Sequence, residues 1–532
     1  MVVAHEWGDG LGVFASKSRG HLISRFRRFV LLSLSGIVLG QTARAVAEDP
    51  SLAAMTPEVR ETFSIPMEWG DRDWDTNGKF LIAQATHQGP TAETARDGSV
   101  RALSWYALGL FLRNGKTDNA RAIDVLNVVL AQQYTEPGKP WNGTFRVSPT
   151  QPEPAAGAAM WKDYDPNWRE FIGTTFAMIL EDFPDRIPRE LQRKLDNSIA
   201  QAVAGEILND RLKPAYTNPA LMFGFLLDFA GVRSHRPDWV AQAAAWQAGI
   251  YTSFNRFGAF DEYNSPTYSG VDLFALGLWR SYGSTASMRD MGAQMEAALW
   301  RDLAAHYNAN LKNVSGPFDR AYGMNMQSYV SVVGVALRLE LGEGLAPIPK
   351  IEPGVDHGGD LWYATHFAIL GVRIPPDAML EFRSFREERL IEQRITEDRV
   401  ATAWIGNNAI YGGEATQKSK DVDSHSQFHP ATVQWKLPSG EIGWIQLTQA
   451  PPIDVRADHN GLQISCTGDV TFRIHAPGME TSDLKKSDWV LPGLAVHVTS
   501  DAGKVTLDQE TGFVDITYSA ISGMNLRIVP SL

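Results

Sequence analysis

The sequence predicts a multidomain α+β protein in which an N-terminal α/α toroid, an incomplete barrel of helical hairpins, precedes a C-terminal antiparallel β-sandwich. Three observations predict this fold class. The chain has 532 residues, which is too many for one compact core. Apolar residues recur with a helical period in the first part of the chain and with a period of two in the last part. We therefore expect a toroid over residues 48–342, a linker over 343–360 and a β-sandwich over 361–532.

The helical part is predicted from apolar residues spaced three and four apart. Trp168, Phe171, Ile172 and Phe176 share one face of a helix with 3.6 residues per turn. Similar stripes occupy residues 101–113, 120–133, 190–207, 219–230, 239–254, 268–280, 290–307 and 326–341. Helices of this length joined by short Pro- or Gly-marked turns stack as hairpins, which predicts a toroid or a solenoid.

The helical pattern ends in a segment rich in Pro and Gly, residues 343–354, which we interpret as a linker. Beyond it, residues 433–437 and 442–447 alternate apolar and polar side chains around a turn, as is typical of a β-hairpin. Further strands are predicted at 462–466, 470–475, 495–499, 503–507, 512–518 and 524–529. Short strands separated by turn residues indicate an antiparallel sandwich.

Residues 1–47 are predicted to be a leader and signal peptide. Arg25, Arg27 and Arg28 precede a short apolar run, and the small residues that end at Ala47 are typical of a cleavage site. The pair Arg27 and Arg28 weakly resembles a twin-arginine signal, which exports folded proteins. We therefore expect an exported protein, either periplasmic or secreted.

The charge balance excludes several classes of partner. Lys and Arg number 49 against 61 Asp and Glu, a net charge of −12, and removal of residues 1–47 makes it −16. A nucleic-acid binder needs a basic face, so none is expected. The single cysteine, Cys466, excludes a disulfide scaffold and a multi-cysteine metal site. We expect no membrane segment after signal cleavage, and a monomer or weak homo-oligomer.

Three predicted helix starts carry polar side chains that indicate chemistry. Asn218 stands directly before a proline, residues 262–268 repeat an Asn–proline pattern, and Arg320 and Tyr322 lead into the apolar run 329–337. Taken singly, each start is a routine helix cap. In a toroid, however, alternate helices run the same way, so these starts can gather at one end, where unpaired backbone N–H groups favour an anion.

Asn, Arg and Tyr around an anion suit the β-elimination of a polyuronate. The C5 proton of a uronate is a very weak acid because the neighbouring group is a carboxylate. Amide and guanidinium donors on that carboxylate spread the charge that develops in the transition state. A tyrosinate stabilised by an arginine can take the C5 proton, and a tyrosine can protonate the departing O4. This chemistry requires no cofactor and no metal, so we predict neither.

Three stretches, residues 260–273, 316–324 and 427–432, resemble polysaccharide lyase family 38. The resemblance implies an α/α toroid with a β-sandwich and cleavage of glucuronan (cellouronate) or mannuronate-rich alginate. A fainter likeness joins residues 167–173 and 260–270 to toroidal chondroitin and hyaluronan lyases.

The resemblance also implies roles for the catalytic candidates. Asn218 and Arg320 would neutralise the substrate carboxylate, and Tyr322 would be the base and the acid, with Tyr268 as the competing candidate. His429 follows a polar run at the start of a predicted strand, from which the sheet domain could supply a residue to the cleft.

In the fainter comparison with chondroitin and hyaluronan lyases, Tyr263 stands where those enzymes keep a His. Asp272 stands where they keep a Tyr.

Substrate contacts are expected from two other segments. Glu262, Tyr263 and Asn264 precede the second helix start, and Trp141 and Trp161 lie in a Pro- and Gly-rich region from which an indole could stack on a sugar ring.

Alternatives remain open on the sequence alone. A glycoside hydrolase on the same toroid would use Asp261 or Glu262 as acid with Asp319 as its partner, and a non-catalytic module would only bind glycan. Residues 73–78 match the opening of a calcium loop, but Gln84 stands where a bidentate Glu belongs, so a solvated turn is favoured.

Overall fold

The computed structural model describes residues 50–81, 99–352, 355–423 and 425–530. Twelve α-helices occupy the first part of this described chain. They are α1 (Pro57–Asp73), α2 (Val100–Arg113), α3 (Asp118–Leu130), α4 (Trp168–Asp182), α5 (Arg189–Asn209), α6 (Thr217–Arg233), α7 (Pro237–Phe257), α8 (Tyr268–Tyr282), α9 (Ala286–His306), α10 (Val332–Leu341), α11 (Tyr363–Leu370) and α12 (Pro376–Arg383). The predicted signal peptide lies outside the described residues.

The helices form an inner ring with an outer layer. Helices α2, α4, α6 and α8 pack side by side, and each is followed by an antiparallel partner on the outside, namely α3, α5, α7 and α9. Helix α11 packs against both α8 and α2, while α1 and α10 pack beside it. The predicted toroid of helical hairpins is confirmed.

The sequence of each helix matches its layer. Helix α6 in the inner ring is buried on nearly every side, whereas α7 in the outer layer buries one stripe that includes Trp239, Ile250 and Phe254. A helix with one apolar face lies at a surface, and one that is apolar all round lies in a core. Side-chain oxygens of Ser99, Thr285 and Ser331 accept hydrogen bonds from backbone N–H groups in the first turns of α2, α9 and α10.

The strands are antiparallel throughout. Two small hairpins, β1 (Trp74–Asp75) with β2 (Phe80–Leu81) and β3 (Tyr307–Asn308) with β4 (Asn313–Val314), lie within the helical part. The large sheet contains β5 (Arg389–Arg394), β6 (Val400–Ile405), β7 (Ala409–Ala415), β8 (Ala431–Lys436), β9 (Ile442–Gln449), β10 (Asp454–Asp458), β11 (Gly461–Ser465), β12 (Gly468–His475), β13 (Asp488–Leu491), β14 (Leu494–Ser500), β15 (Lys504–Glu510), β16 (Phe513–Ile521) and β17 (Met524–Pro530).

One hydrogen-bonded path links these strands in the order β13-β14-β17-β11-β10-β7-β8-β9-β12-β16-β15, with β6 on β7 and β5 on β6. Buried side chains from both halves of the path, such as Trp489 on β13 and Tyr518 on β16, belong to the same core. The sheet therefore curls over on itself, and its two halves pack face to face as predicted for a sandwich.

The boundary between the two parts differs from the prediction. Residues 363–370 and 376–383 form α11 and α12, which pack on helices of the toroid, and the sheet begins at Arg389. The predicted start of the β-sandwich at residue 361 is therefore corrected to about 389. The cause is length, because helices of eight residues give too short an apolar stripe to reveal a period.

Candidate active site

A polar cleft lies where four inner helices begin. Arg101 is the second residue of α2, Asn167 precedes α4, Asn218 is the second residue of α6 and Tyr268 opens α8. Because these helices run the same way, their dipoles point positive ends at the cleft. The cleft has a volume of about 510 Å³. It is lined by Arg101, Trp161, Asp165, Asn167, Phe171, Tyr216, Asn218, Thr267, Tyr268, Val271, Arg320, Tyr322, His357, Asp360 and Tyr363.

Arg320 is the centre of the hydrogen-bond network in this cleft. Its Nη2 donates to the Tyr268 hydroxyl at 2.7 Å, and its Nη1 donates to Glu262 Oε1 at 2.8 Å. Its Nε donates to Gln427 Oε1 at 2.9 Å. Burial alone would lower the pKa of Arg320, but Glu262 and Tyr268 raise it above its ordinary value, so the guanidinium stays charged.

Glu262 joins the first and the third of the predicted segments. Its Oε2 accepts a hydrogen bond from Asn218 Nδ2 at 3.0 Å, while its other oxygen pairs with Arg320. Burial raises the pKa of Glu262, and the charge of Arg320 opposes this rise. The expectation that Glu262 binds substrate is thus modified, since both of its oxygens are engaged by protein donors.

The two candidate tyrosines contact one another. Their hydroxyls form a hydrogen bond, and the guanidinium carbon of Arg320 lies 3.8 Å from the centre of the Tyr268 ring. The Tyr322 side chain is the more accessible of the two, at 38% exposure, and its ring stacks on His357 with centroids 3.8 Å apart. Burial is the main cause that raises the pKa of Tyr268, and the hydrogen bond to Tyr322 adds to it.

The segment that carries Arg320 and Tyr322 is not a helix start. Helix α10 begins only at Val332 with Ser331 as its cap, so residues 319–326 form an irregular loop. This corrects the third of the three predicted helix starts.

The sheet domain fixes the loop. The backbone of Phe318 pairs with that of His429 in both directions, at 3.1 and 2.8 Å, and the Ala321 N–H donates to the Gln427 carbonyl at 3.0 Å.

His429 supports this loop and does not line the cleft. Its side chain is buried, and Nε2 lies 3.2 Å from the Ala321 carbonyl oxygen. Burial lowers the pKa of His429 to about 4, so the ring is neutral. The expectation that it reaches the cleft as a catalytic residue is therefore replaced by a structural contact one residue before Tyr322.

Tyr263 and Asn264 are likewise structural. The Tyr263 hydroxyl is buried and donates to Asp302 at 2.9 Å, away from the cleft. Asn264 adopts a left-handed conformation (φ 50°), and its Nδ2 donates to the carbonyls of Ser315 and Pro317. These residues join two chain segments, which corrects their assignment to substrate binding.

Of the two candidate tryptophans, the structure brings only Trp161 to the cleft. Its side chain is 53% exposed and lies under the guanidinium of Arg211, 5.8 Å from the ring centre. Trp141 is 3% exposed, donates to Glu136 and packs on Tyr164, so its assignment as a sugar platform is corrected.

The three carboxylates of the hydrolase alternative, Asp261, Glu262 and Asp319, do not line the cleft. Asp319 is buried and forms ion pairs with Arg399 and, at 2.9 Å, with Lys420, and it also accepts a hydrogen bond from the Tyr263 backbone. It does not line the cleft. Glu262 is already bound to Asn218 and Arg320, as described above.

Several residues that line the cleft were not predicted from the sequence. His357 and Asp360 lie in the segment that we interpreted as a linker, and burial raises the pKa of Asp360 to about 7. Arg101 and Tyr363 lie in α2 and α11. The available signal was the cluster Asp-His-Gly-Gly-Asp at residues 356–360, which is unusually rich in titratable groups for a linker.

Helix α8 holds an uncharged acid, Asp272, which is not among the residues that line the cleft. Asp272 of α8 is fully buried, and neither of its carboxyl oxygens has a hydrogen-bond partner in the described part of the chain. Burial raises its pKa far above the usual range, so the group is protonated.

Within the described ranges, no cluster of three or more His, Cys, Asp or Glu is arranged to hold a metal ion. No described helix is both long and apolar enough to cross a membrane.

The described chain thus combines a toroid of helical hairpins with a curled antiparallel sheet, and a polar cleft lies at the N-termini of the inner helices. The chain belongs to the family of domains of unknown function DUF8769, whose model matches residues 60–372. Residues 383–525 match a second domain of unknown function, DUF8770. The border between the two matches agrees with the corrected start of the sheet.

Comparison with known proteins adds a likeness in fold. No curated protein matches the chain in sequence. Heparinase III is 9% identical with a TM-score of 0.41, over 92% of this chain and 88% of that one. A chondroitin AC lyase variant from Streptomyces coelicolor A3 is 12% identical with a TM-score of 0.37, over 91% and 80%. A heparan sulfate lyase from Pedobacter heparinus is 9% identical with a TM-score of 0.32, over 90% and 84%.

Proposed function

We propose that the protein is a polysaccharide lyase that cleaves a β-1,4-linked polyuronate by β-elimination. The observation that carries the proposal is the chain of hydrogen bonds from Tyr322 through Tyr268 to Arg320, at a cleft into which four inner helices direct their N-termini. The resemblance of residues 260–273, 316–324 and 427–432 to family 38 favours glucuronan as the substrate. Mannuronate-rich alginate is the alternative, and the two uronates differ at C2.

The substrate carboxylate would be bound by N–H donors that the protein does not use itself. A guanidinium has five N–H donors, and three of those on Arg320 are engaged by Gln427, Glu262 and Tyr268. The amide of Asn218 has two, and one is engaged by Glu262. The remaining donors, together with the helix N-termini, would stabilise the enolate-like charge that develops on the carboxylate.

Tyr322 is assigned as the base and the acid because it is the more accessible phenol. Burial and the hydrogen bond to Tyr322 raise the pKa of Tyr268, so Tyr268 stays protonated. Its O–H can therefore donate a hydrogen bond to a Tyr322 phenolate. Arg320 lies directly behind Tyr268 and stabilises negative charge on the pair. Tyr268 then acts through Tyr322 and does not itself reach the substrate.

In the proposed reaction, Tyr322 makes both proton transfers. The Tyr322 phenolate takes the C5 proton, the electrons of the C5–H bond form a C4=C5 double bond, and the C4–O4 bond breaks. The Tyr322 phenol then returns the same proton to O4, which regenerates the phenolate and leaves an unsaturated uronate at the new end. Trp161 at the rim supplies an exposed indole on which a neighbouring sugar ring can stack.

The proposal is tested by incubating the purified protein with glucuronan, polymannuronate, polyguluronate and hyaluronan. Ultraviolet absorbance of the unsaturated product and the release of reducing ends are followed together, with and without a chelator. We expect absorbance on glucuronan or polymannuronate, at a rate that the chelator leaves unchanged. Reducing ends without absorbance would instead establish a hydrolase, and neither signal on any polymer would favour the glycan-binding module.

A matched pair of variants connects the activity to the site. Tyr322→Phe should slow the rise in absorbance by about 10²–10⁴-fold, whereas Tyr251→Phe, which removes a phenol from α7 outside the cleft, should leave it unchanged. Equal activity of the Tyr322→Phe protein and the wild type would remove Tyr322 from the mechanism.

A further inference from the structure

We propose that Arg101 binds a second anionic group of the substrate, carried by a sugar next to the one that loses its proton. The cleft would thereby select chains in which neighbouring sugars are both acidic. This inference rests on the proposed function, and it names a residue that the elimination step itself does not use.

The first argument is charge balance. Two arginines of the described chain line the cleft, and Arg320 already forms an ion pair with Glu262. Arg101 forms no ion pair and donates no hydrogen bond to any residue in the described part of the chain. Its contacts are with aromatic rings, at 4.8 Å from the ring centre of Trp105, 5.5 Å from Trp168 and 5.0 Å from Phe171.

These aromatic contacts suit a guanidinium that binds a ligand through its N–H groups. Aromatic faces attract the cation and hold it in place without using its N–H groups, so no residue of the described ranges occupies its five donors. A planar guanidinium binds a carboxylate or a sulfate through two parallel hydrogen bonds.

The neighbouring carboxyls do not take this role. The positive charge of Arg101 is felt by Asp165 and Asp360, yet neither of them forms an ion pair with it. Burial raises the pKa of both carboxyls, that of Asp360 to about 7, which weakens their competition for the guanidinium. An anion of the substrate can therefore bind Arg101 with little competition from Asp165 and Asp360.

The position of Arg101 fits an adjacent sugar. The ring of His357 stacks on that of Tyr322 with centroids 3.8 Å apart. Burial lowers the pKa of His357, and the charge of Arg101 lowers it further. Arg101 is the second residue of α2, which packs beside α11, and α11 packs beside α8. Asn218 is the second residue of α6. Separate walls of one cleft thus carry two groups of donors, as two successive acidic sugars require.

The test measures affinity without turnover. Tetrasaccharides from glucuronan, hyaluronan and chondroitin sulfate are titrated calorimetrically into full-length Tyr322→Phe protein, alone and combined with Arg101→Gln or Arg193→Gln. Arg193 is an exposed residue of the outer helix α5 and serves as the charge-matched control. Glucuronan carries a carboxylate on every sugar, hyaluronan on every second sugar, and chondroitin sulfate adds sulfates between its carboxylates.

We expect Arg101→Gln to weaken glucuronan binding about tenfold, the effect of losing one charge-assisted contact, while hyaluronan binding changes less than about twofold. Arg193→Gln should change neither. A comparable loss on chondroitin sulfate shows that the subsite also takes a sulfate, and a loss on that ligand alone assigns the sulfate as its anion. An equal loss on all three ligands, or no loss on any, overturns the proposal.

The same experiment separates this inference from the proposed function. If no polymer yields unsaturated product but glucuronan affinity depends on Arg101, the lyase assignment fails and the anion subsite stands. If product forms and Arg101→Gln changes neither Kd nor KM, the subsite fails and the lyase assignment stands. An unchanged melting temperature of Arg101→Gln, together with partial recovery of affinity in Arg101→Lys, excludes a general folding defect as the cause.

Discussion

Asn218 and Arg320 donate hydrogen bonds to the two oxygens of a single carboxylate, that of Glu262, at 3.0 and 2.8 Å. One donor belongs to α6 and the other to the loop that follows β4. Glu262 therefore holds both side chains in place before a substrate arrives. Preorganised donors of this kind need no rearrangement at the moment of reaction, which is the main electrostatic advantage of an enzyme site.

Glu262→Gln should lower kcat/KM by about 100-fold, because an amide cannot accept hydrogen bonds at both of its ends and one of the two donors loses its fixed position. The free energy of unfolding should fall by about 1–3 kcal/mol, the usual contribution of hydrogen bonds to a charged group. Steady-state kinetics and urea unfolding measure the two effects.

Asp377→Asn is the control for this change. Its ion pair with Arg301 lies on the surface, with side chains 62% and 53% exposed, so its loss should leave both the stability and kcat/KM nearly unchanged. Full activity of Glu262→Gln would show that Asn218 and Arg320 do not need this carboxylate.

Replacing each phenol in turn tests the order of the two tyrosines. Tyr322→Phe should reduce kcat by about 10²–10⁴-fold, the range of a general acid–base group, whereas Tyr268→Phe should retain measurable turnover because Tyr268 acts through its neighbour. Both should keep their affinity for a uronate tetrasaccharide. The reverse ranking of kcat would exchange the two roles.

The two tryptophans should separate binding from folding. Trp161→Ala removes an exposed rim indole, so it should raise KM about fivefold, equivalent to about 1 kcal/mol of stacking, with little change in melting temperature. Trp141→Ala empties a buried site and should cost about 3–5 kcal/mol of stability. Calorimetry and kinetics on both variants check this, and a rise in KM confined to Trp141→Ala contradicts it.

Asp360 should make stability depend on pH. Its pKa is raised by burial from 3.8 to about 7 in the folded protein, so the folded state favours the protonated form. The stability that protonation supplies is complete below about pH 4 and is lost as the pH rises through 7. Asp360→Asn removes this dependence, and its advantage over the wild type should grow between pH 4 and pH 8 to at most about 4 kcal/mol.

Melting temperatures at intervals across that range measure the growth. Asp508→Asn, which removes a carboxylate from the exposed β15, controls for the loss of one negative charge. An advantage of Asp360→Asn that shrinks with rising pH would mean that the carboxyl is stabilised in its ionised form.

The parts of the fold that were predictable are those with long periodic patterns. The stripe from Trp168 to Phe176 and the hairpin at 433–447 both formed as expected, because burial of one face gives a signal over ten or more residues. The eight-residue helices α11 and α12 gave no such signal. The loop with Arg320 and Tyr322 was mistaken for a helix start because its polar residues precede an apolar run, as a cap would.

Local pattern alone determined that this chain forms helical hairpins followed by an antiparallel sheet, since periodicity and turn residues act between near neighbours. It also singled out Asn218, Tyr268, Arg320 and Tyr322 as chemically unusual. Only the tertiary structure decided that Glu262 joins two of them, that Tyr263, Asn264 and His429 support the loop from behind, and that Arg101 faces the same cleft. These relationships depend on contacts between distant segments, which leave no periodic trace in the sequence.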